Sequence, residues 1–217
     1  MTITILLADD HAIVRSGLRL LLDTQPDMQV IGEAQDGWEA VRLVRQLRPH
    51  IAILDVAMPR LNGIDAIVQI HAVAPNTQVI ILSMHADSEY VHRALRGGAR
   101  GYILKESAPD ELIEAIVKVQ AGHRFLTPTI SDELIANYIQ QPYDKGSSSP
   151  LEQLTERERQ VLQLVVESKT SSEIGEILSL SPKTVDTYRS RLTQKLNIRD
   201  LPTLVKFAIQ HGITTLE

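Results

Sequence analysis

The chain has 217 residues, enough for one large domain or two small ones; 43% of them are apolar and 23% charged. That balance excludes a disordered chain, and the net charge of −5 excludes one held to nucleic acid by bulk positive charge, though not one with a local basic patch. The absence of cysteine excludes disulfide frameworks, thiolate zinc sites and cysteine nucleophiles, and suits a reducing compartment.

The first ten residues carry acid where an export signal would be basic, and no apolar run approaches the 18 residues of a membrane span. The expectation is a soluble, cytoplasmic protein with no membrane partner. Over residues 1–121, short apolar runs at 3–7, 29–32, 51–54, 78–82 and 101–104 predict strands. They are continuous rather than alternating, as in strands covered on both faces of a parallel sheet. Helical patterns separate them near 13–22, 38–47, 64–72, 89–96 and 109–120. Five strands alternating with five helices predict a doubly wound α/β domain, which binds ligands outside the C-terminal strand ends. Residues 122–150 are expected to be a linker, marked by Pro128, Pro142, Gly146, Ser147, Ser148, Ser149 and Pro150, with a short helix over 130–139. From 151 to 217 the pattern is helical only, predicting a smaller all-α domain of four helices. Thr155 and Glu158 have capping-box spacing, with Leu154 as the staple residue. Ser181 caps a third helix that begins at Pro182.

Polar groups gather at the predicted strand ends: Asp9 and Asp10, Asp55, Ser83 and Lys105. Each has an ordinary reading alone, as a cap, a turn residue or a solvated lysine. Together they would share one edge of a parallel sheet. Three crowded carboxylates favour a divalent cation, and all-oxygen ligands suit Mg²⁺. A carboxylate can also attack phosphorus, with a lysine and a hydroxyl to receive the transferred group. A Mg²⁺-dependent phosphatase is the competing reading, but such enzymes need a second carboxylate two residues on, and position 57 is Ala.

Asp9–Asp10, the run from Asp55 through Pro59 to Gly63, Ser83 and the run from Gly101 to Lys105 resemble the receiver domain of bacterial two-component response regulators. The resemblance implies a CheY/flavodoxin-like fold. It implies Asp55 as phospho-acceptor, and Asp9, Asp10, Asp55 and the Ala57 carbonyl as Mg²⁺ ligands. Ser83 and Lys105 would hold the phosphoryl group, and Ser83 and Tyr102 would form the switch. It also implies a sensor histidine kinase as partner. Many members have Lys-Pro with a cis peptide where this chain has Lys105–Glu106, so the geometry of that peptide is open.

In the second domain Val185, Tyr188, Leu192 and Leu196 form an apolar stripe at helical spacing. Lys183, Thr187, Ser190 and Gln194 face the other way, with Asp186 and Arg191 on the flanks. Arg189 lies nearer the stripe edge and would reach sideways to a phosphate. Residues 183–199 hold five basic groups against one acid, a local +4 on an acidic chain. A helix feeding a turn and then a polar-faced helix fits major-groove insertion. Leu154 to Leu162, Glu173–Ile174, Ser181, Thr184–Val185 and Lys195 to Ile198 resemble the LuxR/NarL-type helix-turn-helix. The resemblance implies base reading through Asp186, Thr187 and Ser190 in double-stranded promoter DNA. Lys183, Thr184, Arg189, Arg191 and Lys195 complete the expected contact set, and a homodimer is expected on phosphorylation. The chain departs from that family at Ser168, Gly175 and Tyr188, where glycine, alanine and histidine are usual. Both halves together are similar to a transcriptional response regulator, which catalyses only its own phosphoryl transfer and dephosphorylation.

Overall fold

The computed structural model describes residues 2–84, 86–140 and 150–214. The chain forms two compact units, Met1–Tyr143 and Asp144–Glu217.

The first unit alternates strand and helix: β1 (Ile3–Ala8), α1 (Ala12–Asp23), β2 (Met28–Ala34), α2 (Gly37–Leu47), β3 (Ile51–Asp55), α3 (Gly63–Val73), β4 (Gln78–Ser83), α4 (Ser88–Gly97), β5 (Gly101–Leu104), α5 (Ala108–Gln120), β6 (Phe125–Leu126) and α6 (Pro128–Gln140). The sheet is parallel, in the order β2-β1-β3-β4-β5-β6. The continuous apolar strands divide by alternate residues between two cores. Ile5, Leu7 and Ile53 pack with Leu18 and Leu22 of α1 and with Leu112 and Ile116 of α5. Leu6, Ala8 and Leu54 pack with Val44 of α2, Ile67 of α3 and Val91 of α4. Each such Leu or Ile contributes about 1.5–3 kcal/mol by burial, so both faces of the sheet are committed.

The helix expected over 130–139 is α6, but the segment before it is also structured rather than a linker. β6 pairs with β5, and α6 sends Ile130 into the α2–α4 core with Leu134 against it. The signal was misleading because Pro128 is the first residue of α6, a position where proline is well tolerated rather than a breaker. Of the remaining linker markers, Pro142 and residues 146–149 lie outside the described residues, and Pro150 opens the first turn of the second unit. The other five strands and five helices stand within two residues of their predicted ends.

The second unit has a 3₁₀ turn (Pro150–Gln153), α7 (Glu156–Val166), α8 (Ser171–Leu178), α9 (Pro182–Leu196) and α10 (Leu201–Gln210). Thr155 and Glu158 form the expected capping box, and Ser181 caps α9 with Pro182 at its first turn. A second box, Thr170 with Glu173, opens α8. Val161, Leu162, Ile174, Val185, Leu192, Leu204 and Ala208 fill the interior. Two family departures acquire a physical meaning here. Ser168 has φ +62°, a left-handed conformation that glycine adopts without cost. Gly175 admits the Leu180 carbonyl, since a Cβ there would lie 2.6 Å from that oxygen.

Candidate functional site

The parallel sheet brings Asp9, Asp55, Ser83 and Lys105 to one edge, because each closes or follows its strand. Gly63 fixes the Asp55 end: its N–H donates to the Val56 carbonyl at 2.9 Å, and any Cβ would overlap the carbonyl of Asp55. Lys105 Nζ lies 2.7 Å from Asp9 Oδ2 and 2.8 Å from Asp55 Oδ2. Both carboxylates are buried. Burial pushes the Asp55 carboxyl up, Lys105 opposes this, Asp9 adds to it, and the result is about 6. The Ala57 backbone N–H also donates to Asp55, which places Ala57 against the site. Burial works against the charge of Lys105, but Asp55 and Asp9 outweigh it and raise the ammonium above its ordinary value.

One oxygen each of Asp9, Asp10 and Asp55, with a ring nitrogen of His11, lie within 4.8 Å of one another. Asp9 Oδ2 and Asp10 Oδ1 are buried and accept no well-directed hydrogen bond. Lys105 Nζ lies 2.7 Å from Asp9 Oδ2, and His11 Nδ1 lies 2.8 Å from Asp10 Oδ1. Crowded hard oxygens with unused lone pairs are a donor set that fits Mg²⁺. His11 escaped the sequence reading, although it directly follows the two aspartates.

Ser83 and Tyr102 meet: both side chains are fully buried and hydrogen-bonded to each other. Burial pushes the phenol of Tyr102 up, against that hydrogen bond. The ring already lies inside the core. Behind it stands Thr127, within the expected linker. Its N–H donates to the Tyr102 carbonyl at 3.1 Å. Its Oγ1 accepts from the Leu104 N–H at 3.2 Å and donates to Glu111 Oε2 at 2.8 Å. The Lys105–Glu106 peptide is trans.

On α9, Lys183, Asp186, Thr187, Ser190 and Arg191 are exposed on one side. The other three expected contacts are engaged within the unit. Thr184 belongs to the cap, with its Oγ1 2.8 Å from Ser181 Oγ. Arg189 is half-buried and donates to Ser171 Oγ at 3.2 Å. Lys195 turns inward, with Nζ 2.6 Å from Glu158 Oε2 and 3.0 Å from the Gln153 carbonyl. This contact clasps α9 to α7, while the lysine side chain stays about a third exposed, at 37%. A helical wheel places the Cα but not the end of a four-carbon stem. Burial works against the charge of Glu158, yet Lys195 and the Thr155 N–H and hydroxyl outweigh it and hold the carboxyl below its ordinary value.

Comparison with known proteins decides the family. Residues 5–117 match the response regulator receiver domain, and residues 152–208 match the bacterial regulatory proteins of the luxR family. The chain is a LuxR-type response regulator. It is 36% identical to the oxygen regulatory protein NreC of Staphylococcus carnosus, over 95% of this chain and 96% of that one. It is 34% identical to the response regulator UvrY of Escherichia coli, over 99% and 97%. Among solved structures, the two-component response regulator RcsB in complex with DNA matches with a TM-score of 0.60 at 26% identity, covering 97% of this chain and 99% of that one. A regulator of this family takes its signal from a histidine kinase and delivers it to DNA as a change in transcription. Receiver domains bind Mg²⁺ in an acidic pocket, and the carboxylates of this regulator fit that ion. Among the described residues, no helix is long and apolar enough to cross a membrane.

Proposed function

We propose that Asp55 accepts a phosphoryl group from a sensor histidine kinase and that this controls binding of α9 to promoter DNA in the cytoplasm. The observation that carries it is the position of Lys105 Nζ, within 2.8 Å of both Asp9 and Asp55, beside carboxylate oxygens that accept no well-directed hydrogen bond. An Asp55 oxygen attacks phosphorus; an O–P bond forms as the N–P bond of the kinase phosphohistidine breaks, and the electron pair returns to the imidazole. Asp9, Asp10, Asp55 and the Ala57 carbonyl would hold Mg²⁺, which when bound supplies positive charge for the phosphoryl oxygens. Lys105 shifts its ion pair from the carboxylates to the new phosphoryl oxygens, and Ser83 turns its hydroxyl toward them.

The added charge of about −1.5 to −2 thereby breaks the Ser83–Tyr102 hydrogen bond. Tyr102 is tied through its carbonyl to Thr127, at the start of α6. The change therefore reaches the segment that leads to the second unit. Two phosphorylated chains form a dimer whose α9 helices enter paired half-sites, which strengthens binding by effective concentration. Hydrolysis of the acyl phosphate in the same pocket returns the regulator to its first state.

Asp55→Asn tests the acceptor directly. The variant should take up no phosphate from a small phosphodonor such as acetyl phosphate. Labelling at the wild-type level would remove Asp55 from the role.

A further inference from the structure

We propose that Asp186 reads the exocyclic amino group of a cytosine in the major groove. This deepens the DNA-binding reading above and rests on it. Asp186 is exposed on α9, on the side that also carries Lys183, Thr187 and Ser190. An acid on such a face repels phosphates, so it costs affinity for all DNA unless one base repays it.

The geometry holds it ready to be repaid. The Ser171 hydroxyl, at the first residue of α8, donates to Asp186 Oδ1 at 2.6 Å. The same hydroxyl accepts from Arg189 Nη1 at 3.2 Å. The serine proton is thus directed at the acid and its lone pair at the guanidinium, so the carboxylate is oriented from α8. Asp186 Oδ2 has no hydrogen-bond partner among the described residues. It remains a pure acceptor. Thr187, beside it, spends its own proton on the Lys183 carbonyl at 3.0 Å. It therefore offers lone pairs and a methyl group to its surroundings. Asp186 and Thr187 thus place acceptors side by side on this face, between the donors Lys183 and Ser190.

Base edges differ in how they meet such a surface. Guanine presents two acceptors, and thymine presents an acceptor with a methyl group. Adenine presents an amino donor beside the N7 acceptor, which repels a carboxylate. Cytosine alone presents a donor with no acceptor on its own edge. The acid of α9 therefore discriminates for cytosine and against guanine at one position of each half-site. Ser171 acts as its positioning residue.

The test is selection of bound duplexes from a random pool by the full-length protein, phosphorylated with acetyl phosphate, for wild type, Asp186→Asn, Asp186→Ala and Ser171→Ala. Wild type should enrich one fixed cytosine per half-site, preferred about 10- to 100-fold over other bases in follow-up binding. Asp186→Asn should move that position to adenine, whose N6 and N7 suit an amide. Asp186→Ala should lose the preference there and keep the rest of the site. Ser171→Ala should weaken the cytosine preference without moving it, an effect that loss of packing alone does not produce. The same base selected by wild type, Asp186→Asn and Asp186→Ala overturns the proposal. So does an Asp186→Ala variant that binds every sequence more tightly with its site unchanged. If wild type binds no duplex above background, the DNA-binding reading itself fails and this proposal falls with it.

Discussion

Each unit of the regulator holds a lysine against buried carboxylate, and the two pairs do opposite work. Lys195 meets Glu158, whose oxygens also receive the Thr155 N–H and hydroxyl, so the carboxyl is held below its ordinary value. Lys105 meets Asp9 and Asp55, where oxygens of Asp9 and Asp10 accept no well-directed hydrogen bond and Asp55 is pushed up. A satisfied pair is a clasp. A pair with lone pairs left over is a place where another positive group or a phosphoryl group has something to gain.

Breaking the clasp should have the largest effect. Glu158→Ala removes half of a capping box and strands Lys195, and should cost about 2–3 kcal/mol in the denaturant unfolding of the second unit. Lys195→Ala should be milder in stability and leave the salt slope of DNA binding alone, whereas Arg191→Ala should lower that slope by about one unit. Equal loss of slope in both variants would put Lys195 back on the DNA.

Relieving the unsatisfied pocket should do the reverse. Asp10→Asn should leave the unfolding midpoint of the receiver unchanged or higher, while weakening Mg²⁺ binding at least about tenfold, some 1.4 kcal/mol. Magnesium titration followed by the fluorescence of Trp38, the single tryptophan, reads this. A receiver that loses stability with no loss of Mg²⁺ affinity would make the aspartate structural.

Acid should separate the two units further. Asp55 has a folded pKa near 6 against an ordinary 3.8, so the folded receiver binds more protons across that window. Without Mg²⁺ it should gain stability as pH falls from above 6 toward 4. Glu158 is displaced downward from 4.5, so its contribution is complete above that value and is lost as pH falls through the lower folded one. Denaturant midpoints of the two transitions at pH 7, 5 and 4 check both signs.

The smallest expected change is Ser168→Gly. Relieving a left-handed serine should stabilise the second unit by about 0.5 kcal/mol, after allowance for the freer unfolded chain. An unchanged midpoint would mean that the turn carries no strain.

The doubly wound sheet was legible because its strands are uninterrupted apolar runs, and its pocket was legible because polar groups follow four of the five runs. The box at Thr155 and the cap at Ser181 were legible because their spacing is local. What escaped depends on distance. A two-residue strand at Phe125 has no periodicity to detect, and Thr127 matters only through partners at positions 102, 104 and 111. Lys195 could be placed on a helix but not aimed, since its partner Glu158 lies 37 residues earlier. The depth of Tyr102 follows from Ile130 and Leu134 of α6, which join the same core from a segment whose prolines and glycine resembled a tether.

The absence of a side chain at position 63 has a mechanical consequence. Backbone meets backbone beneath Asp55, and the Gly63–Val56 hydrogen bond closes the intervening loop into a ring. The Asp55 carboxylate thus sits on an anvil. Under the proposed phosphorylation, the backbone beneath the carboxylate has little room to move, which favours a response on the Ser83–Tyr102 side of the pocket.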